Sequence, residues 1–284
     1  MKRALAAGLG YAAAHRLAEA RRAPHDAGAE ASGSDAAIAT LRERGFAVVP
    51  DLLTAKEMEA VRRTEAFQSM PAASSEAASD EWRLSALGRY HRIDFADADV
   101  QTFARIEKRL APFVSKYFDV EFDVVADGVE RGPVLYRSEL QLLNAAPHSQ
   151  NQIWHSDHRV HGLTLVVPLT DFTPLNGATQ LLPGSHALPS SWNWLLGGAQ
   201  IAAAPAGGLL AYDARMYHRG LGNTTEKSRP ALVFRYDRRD ERPPPGVGLA
   251  GSLFHTTSAV VLHTVTATVA ALGELLTPSQ GRGP

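Results

Sequence analysis

Apolar positions recur along this chain with a helical period in its first half and a strand period in its second. Asp35 to Arg44 suits a short helix closed by Gly45, because the position after a last helical turn favours a left-handed backbone. Phe46 to Val49 is a continuous apolar run of strand length. Thr54-Ala55-Lys56-Glu57 forms a capping box, in which a threonine and a glutamate three residues on satisfy each other's free amides. It opens a helix through about Phe67. Val100, Phe103, Ile106, Leu110 and Phe113 fall at near-helical spacing, so Asp97 to Phe118 is predicted largely helical. Pro112 lacks an amide proton and should kink or end that helix near Leu110. Strands follow: Val134 to Asn144, then Leu163 to Leu169, apolar enough to be buried on both faces. Gly207-Gly208 turns into Leu209 to Asp213, and Arg229 to Tyr236 alternates as a further strand. Ser69 to Asp80 is small and polar and reads as a loop.

Composition adds bounds. With 284 residues and 45% hydrophobic content, one sizeable domain with a real core is expected. A formal net charge of −1 carries no nucleic-acid footprint. The chain has no cysteine, which excludes thiolate and disulfide chemistry and fits a reducing, cytoplasmic setting. Residues 1–22 are rich in alanine and arginine. They read as an Ala-rich helix or frayed terminus in preference to an organellar targeting segment. Residues 23–34 have the look of a linker. Thr256 to Leu276 is apolar but interrupted by His263, Thr264, Thr266 and Thr268, so it reads as a packed helix and not a membrane span. Pro278 to Pro284 is expected to be disordered. The expected division is an N-terminal extension over 1–34, the main domain over 35–242 and a C-terminal extension over 243–284. No feature sets an oligomeric state.

Candidate chemistry centres on Trp154-His155-Ser156-Asp157-His158. Residues two apart on a strand share a face, so His155 and Asp157 aim an imidazole and a carboxylate at one point. Such a pair leaves a divalent metal short of a ligand. His218, in Tyr217-His218-Arg219-Gly220, is the candidate third; two histidines and one carboxylate are the facial triad of non-haem iron. Arg229 lies eleven residues beyond His218. A loop and a new strand would bring it back beside that histidine, and its planar fork suits bidentate capture of a carboxylate. The plainer reading of Arg229 is a surface ion pair with Glu226 or Asp213.

These pieces, with Asn176-Gly177-Ala178-Thr179-Gln180-Leu181-Leu182-Pro183-Gly184-Ser185-His186 between them and the opening run Gly45 to Thr54, resemble the phytanoyl-CoA hydroxylase-like family over roughly residues 40 to 238. The resemblance implies a double-stranded β-helix, mainly β with flanking helices. It implies Fe(II) held by His155, Asp157 and His218, and 2-oxoglutarate and O2 as co-substrates, with Arg229 on the far carboxylate of 2-oxoglutarate. Gln141, on the strand before the triad, is the candidate for a further co-substrate hydrogen bond, with Asn144 in reserve; a solvated strand face is the other reading of Gln141. Related halogenases lack the carboxylate, so Asp157 implies hydroxylation of an unactivated C–H bond, with release of succinate and CO2. The substrate implied is a small organic molecule. Arg215, Arg219, His158, Arg159 and His161 around the ligands suggest that it is anionic. Trp154 reads as core, His186 as a loop histidine bonded to backbone, and Pro189 to Leu196 as a helix packed on the barrel. Two other functions fit the residues alone: a zinc-type hydrolase or isomerase, and a non-catalytic β-barrel binding protein.

Overall fold

In the computed structural model, residues 34–72, 82–86, 88–121, 134–158, 160–187 and 198–240 are described. All belong to one compact unit, Asp26–Pro243. The expectations for residues 1–33, for Pro189 to Leu196, for most of the Ser69–Asp80 loop and for 243–284 lie outside the described residues.

Helix α1 (Ser34–Arg44) ends where Gly45 turns left-handed, at φ +85°, and hands the chain to β1 (Phe46–Val49). The capping box forms as the sequence predicts: Thr54 N–H donates to Glu57 Oε2 at 2.8 Å, and Thr54 Oγ1 accepts from Glu57 N–H at 3.3 Å. The helix it opens, α2 (Ala55–Arg62), does not run to Phe67. Thr64 adopts an extended backbone and caps a separate turn, α3 (Glu65–Gln68). That turn is fixed because the buried Asp99 carboxylate accepts the amides of Glu65 and Ala66, at 3.2 and 2.8 Å. Two short strands, β2 (Arg83–Ala86) and β3 (Arg89–Arg92), precede α4 (Asp97–Phe118).

Helix α4 covers the predicted span, Asp97 to Phe118, and of the two outcomes expected at Pro112, a kink or an end near Leu110, it does not end there. The helix is continuous through the proline over 22 residues. An interior proline costs about 3 kcal/mol, but Leu110, Phe113, Val114, Tyr117 and Phe118 on either side of it are all buried. Packing of that stripe outweighs one missing hydrogen bond, since each such side chain contributes about 1.5–3 kcal/mol.

The remaining strands are β4 (Leu135–Ala145), β5 (Gly162–Pro168), β6 (Thr179–Leu181), β7 (Gln200–Ala202), β8 (Leu209–Asp213), β9 (His218–Gly220) and β10 (Arg229–Arg238). They form two sheets. The larger is antiparallel in the order β1-β8-β5-β10-β4-β3-β2, and the smaller runs β7-β6-β9. An isolated bridge between His155 and His218 extends the smaller sheet by one segment. Central strands β5 and β10 are buried on both faces, as expected for Leu163 to Leu169. Leu163, Leu165, Val167, Leu232 and Phe234 face the helices. Val166, Ala231 and Val233 face the smaller sheet with Ala178 and Leu181. This is the double-stranded β-helix, mainly β with flanking helices.

Candidate metal centre and co-substrate pocket

The bridge between His155 and His218 holds two imidazoles side by side, with ring centroids 4.4 Å apart. Each ring is oriented from behind: His155 Nδ1 lies 2.8 Å from the Ile153 carbonyl, and His218 Nδ1 lies 3.0 Å from that of Met216. A ring nitrogen facing a carbonyl carries the proton, which leaves Nε2 of both rings as lone-pair donors. Both Nε2 atoms point at Asp157 Oδ1, at 4.0 Å from His155 and 3.4 Å from His218. The second carboxylate oxygen, Oδ2, accepts from Thr164 Oγ1 at 2.7 Å, and Tyr212 Oη lies 3.3 Å from His218 Nε2. All three candidate ligand atoms lie within 4.8 Å of one another.

The electrostatics are those of a site built for a cation. Burial, followed by the neighbouring His218, holds the His155 imidazolium down to about 4. Asp157 is held well below the usual carboxylate range: burial opposes this, but His218, His155 and the Thr164 hydrogen bond outweigh it. His218 is raised despite its burial, because Asp157 faces it. In this contact the proton that His218 shares with Asp157 occupies the point on which the two Nε2 atoms and the carboxylate oxygen converge. A divalent ion would take the place of that proton, and the nitrogen and oxygen donor set suits iron.

The segment Asn176 to His186 braces this centre. Gly177 has φ +88°, and a Cβ there would meet the Leu221 carbonyl at 2.6 Å, so only glycine lets the β9–β10 connection pass so close. Thr179 lines the cavity. Ser185 Oγ accepts the amide of Tyr217 at 2.8 Å, one residue before His218. His186 is buried with Nε2 at 3.3 Å from the Arg42 carbonyl, a structural role as expected.

A cavity of about 230 Å³ opens from the three ligands across the larger sheet. Its floor is built in rows by strand register. The first row holds Arg89, Ala145 and Arg229; the second His91, Leu143 and Ala231. The third holds Gln141, Val233 and Val166; the fourth Glu139, Arg235, Thr164 and Tyr212. Arg229 is 2% exposed, with its guanidinium 4.4 Å from the Phe172 ring centroid and its Nε without a partner. Burial, and then the nearby Arg89, hold its pKa well below the usual arginine value. Neither acid suggested for an ion pair serves it: Glu226 lies against His148 at 3.2 Å, and Asp213 holds Arg215 at 2.7 Å. Among the described residues no acidic group pairs with Arg229.

Gln141 lines the cavity, but Asn144 does not. Asn144 is on the opposite face of β4, where its Nδ2 donates to the Pro71 carbonyl at 2.8 Å. The cationic residues thought to face an anionic substrate also lie elsewhere. Arg215 is forked onto Asp213, at 2.9 and 2.7 Å. His161 Nε2 is 3.0 Å from Tyr117 Oη, and His158 Nδ1 is 3.9 Å from Asp237. Arg219 stacks over the buried Trp154 ring at 4.8 Å and bonds Gln180 at 2.8 Å. None of these four lines the cavity, and Arg159 lies outside the described residues. Sequence reasoning missed Arg89, Thr164, Tyr212 and Arg235. Stepping by two along β10 from Arg229 reaches Arg235, a signal that was available. The register that brings Thr164 and Tyr212 beside it was not.

A family model for phytanoyl-CoA dioxygenase (PhyH) matches residues 41–231, more than half of the chain. The chain belongs to the phytanoyl-CoA dioxygenase family. Within reach of this PhyH chain is the ectoine dioxygenase of Halomonas elongata, 25% identical over 264 residues, covering 78% of this chain and 76% of the relative. Among solved structures, AviO1 from Streptomyces viridochromogenes Tue57 superposes with a TM-score of 0.54 at 20% identity, over 75% of this chain and 98% of that one. The epimerase SnoN, solved in complex with Fe3+, alpha ketoglutarate and nogalamycin RO, gives a TM-score of 0.54 at 19% identity, over 75% of this chain and 91% of that one. Family and site together make this chain an Fe(II)- and 2-oxoglutarate-dependent dioxygenase.

Proposed function

We propose that His155, Asp157 and His218 hold the iron, that Arg229 receives the far carboxylate of 2-oxoglutarate and that Gln141 donates to the same co-substrate. The observation that carries this reading is a buried guanidinium with no acidic partner among the described residues, facing the cavity on which the three ligands converge. A cation desolvated in this way is costly unless an anion joins it, and a dicarboxylate co-substrate supplies one. A zinc-type hydrolase would leave Arg229 without a purpose.

When bound, iron and 2-oxoglutarate supply O2-dependent oxidation of a C–H bond, coupled to loss of CO2 and formation of succinate. The chain's own part is orientation and shelter. The Ile153 and Met216 carbonyls and Thr164 fix the three ligands. Arg229 fixes the co-substrate's direction, and Val166, Ala231 and Val233 keep water from the floor between them. An intact Asp157 supports hydroxylation of a small organic molecule. SnoN was solved with a small molecule in place, which supports the same substrate scale.

The test is succinate formation from 2-oxoglutarate by the aerobic protein with Fe(II) and no added substrate. Slow, iron-dependent succinate is expected in the wild type and none in a folded Asp157→Ala variant. Equal succinate from both would overturn the assignment.

A further inference from the structure

The cavity floor changes character along the sheet. Its first row carries Arg229 and Arg89, and the middle rows are mostly apolar. The fourth row lies six residues further along β10, about 20 Å away by strand rise, and holds an ion pair. There Arg235 Nη1 meets Glu139 Oε2 at 2.8 Å. The strand pairing shifts register at this point, between Arg235 and Tyr236. Ser138 is the residue left over, and its hydroxyl accepts from Arg235 Nε at 3.1 Å. Such bulges often re-aim a side chain next to an active site.

Two carboxylates share this one guanidinium, since Asp237 Oδ2 lies 3.6 Å from Arg235 Nε. They differ in access. Asp237 is 2% exposed and has His158 on its other side at 3.9 Å. Glu139 lines the cavity and has Arg235 as its charged partner among the described residues. It is also near the reacting centre, because the same row contains Thr164, whose hydroxyl holds Asp157.

We propose that Glu139 is the substrate-selecting residue of this pocket, and that the substrate carries a cationic nitrogen, a protonated amine or amidinium, that binds to it. The proposal rests on the iron and 2-oxoglutarate reading above and names the class of molecule that completes the site. An ammonium supplies donors to Glu139 beyond the one guanidinium it shares with Asp237, and offsets the surplus negative charge of two carboxylates on one cation. An anionic substrate would meet that surplus head-on, and repulsion of the wrong partner is as much a part of selectivity as attraction of the right one. Burial lifts the Glu139 carboxyl above its usual range, against the pull of Arg235 and with help from Asp157 and Asp237, so its ionised form gains from a cationic guest. This replaces the anionic substrate, whose supporting residues lie outside the cavity.

Three probes of one chain length decide the matter: n-butylammonium, 1-butanol and butyrate. Each is titrated calorimetrically into the anaerobic full-length protein loaded with Fe(II) and saturating 2-oxoglutarate. Butylammonium should bind about 10- to 100-fold tighter than 1-butanol, the range for one charge-assisted hydrogen bond, and butyrate should bind weakest. Glu139→Gln should abolish the preference. Arg235→Gln removes the internal competitor and should strengthen it. A purely structural ion pair would instead weaken binding of all probes alike in both variants. Equal binding of amine and alcohol by the wild type, tighter butyrate, or an undiminished amine preference in Glu139→Gln would overturn the proposal. If Glu139→Gln does not fold, the Arg235→Gln arm decides: increased amine preference supports the proposal, and no increase overturns it. Failure of the wild type to bind 2-oxoglutarate would count against the metal and co-substrate reading. The amine preference, measured without 2-oxoglutarate, would still decide the role of Glu139.

Discussion

Replacing Arg229 with methionine should move stability and co-substrate affinity in opposite directions. The guanidinium is buried, stacked on Phe172 and near the Arg89 side chain, with no acidic partner among the described residues. A buried ion of this kind is a burden on the ligand-free fold, and replacing buried charge with an apolar chain of similar size is often neutral or stabilising by about 1–4 kcal/mol. The stacking on Phe172 that would be lost offsets about 0.5–2 kcal/mol of that gain. The ligand-free variant should therefore be as stable as the wild type or more so in a urea titration. Binding should respond the other way. Truncating one partner of a buried charge pair costs about 2–5 kcal/mol, which at 1.4 kcal/mol per decade is roughly a 30- to 4,000-fold weaker Kd for 2-oxoglutarate. Arg229→Lys keeps the charge but loses the fork and should fall between the two. Calorimetric titration of 2-oxoglutarate into the metal-loaded proteins reads the affinity. The reasoning fails if Arg229→Met is destabilised by 3 kcal/mol or more while its 2-oxoglutarate affinity stays within threefold of the wild type. That outcome would make Arg229 a structural ion.

Two further outcomes follow from the metal centre. Thr164→Val removes the hydroxyl that holds Asp157 Oδ2 at 2.7 Å. Outer partners of this kind are worth about 10- to 100-fold in metal affinity, so Fe(II) binding should weaken by that factor while the melting temperature changes little; unchanged affinity would mean that Thr164 does not orient Asp157. Metal uptake should also release protons in a defined number. At pH 6.5 His155 is already neutral, since its value is held near 4, and Asp157 is already ionised. His218 is raised because Asp157 faces it, so the proton that leaves on metal uptake should come from that imidazole, and the release should fall toward zero as the pH rises. Calorimetry in two buffers of different ionisation enthalpy measures this, and release of none or of two at pH 6.5 would contradict the ligand assignment.

Much of this molecule was legible in its sequence because local physics dictates it. The capping box at Thr54, the left-handed Gly45 and the doubly apolar run from Leu163 are set by neighbours in the chain, and the structure has each. The convergence of His155, Asp157 and His218 was legible in the motifs, but not for the reason expected: His155 forms a single bridge to His218, and Asp157 lies in a bend, held by Thr164 and not by strand periodicity. Less was readable where tertiary packing decides. Pro112 sits in a helix that its flanking core residues hold together, and Asp99, far along the chain, breaks the second helix early. The pocket's character was the least readable. Arg215, His158 and His161 are near the ligands in sequence, yet they turn toward Asp213, Asp237 and Tyr117 on the far side. Arg89, Thr164 and Tyr212 come into one cavity only through strand register, which no short stretch of sequence encodes.

The central claim is that one cavity holds both iron and 2-oxoglutarate, through the three ligands and Arg229. Anaerobic titration of the metal-free protein with Fe(II) and then 2-oxoglutarate, followed by the visible metal-to-ligand charge-transfer band, tests it most directly. The account predicts a band in the wild type, its loss in Asp157→Ala, and in Arg229→Met a band that appears only at far higher 2-oxoglutarate. No band from a folded wild-type protein, or a band indifferent to both substitutions, would contradict it.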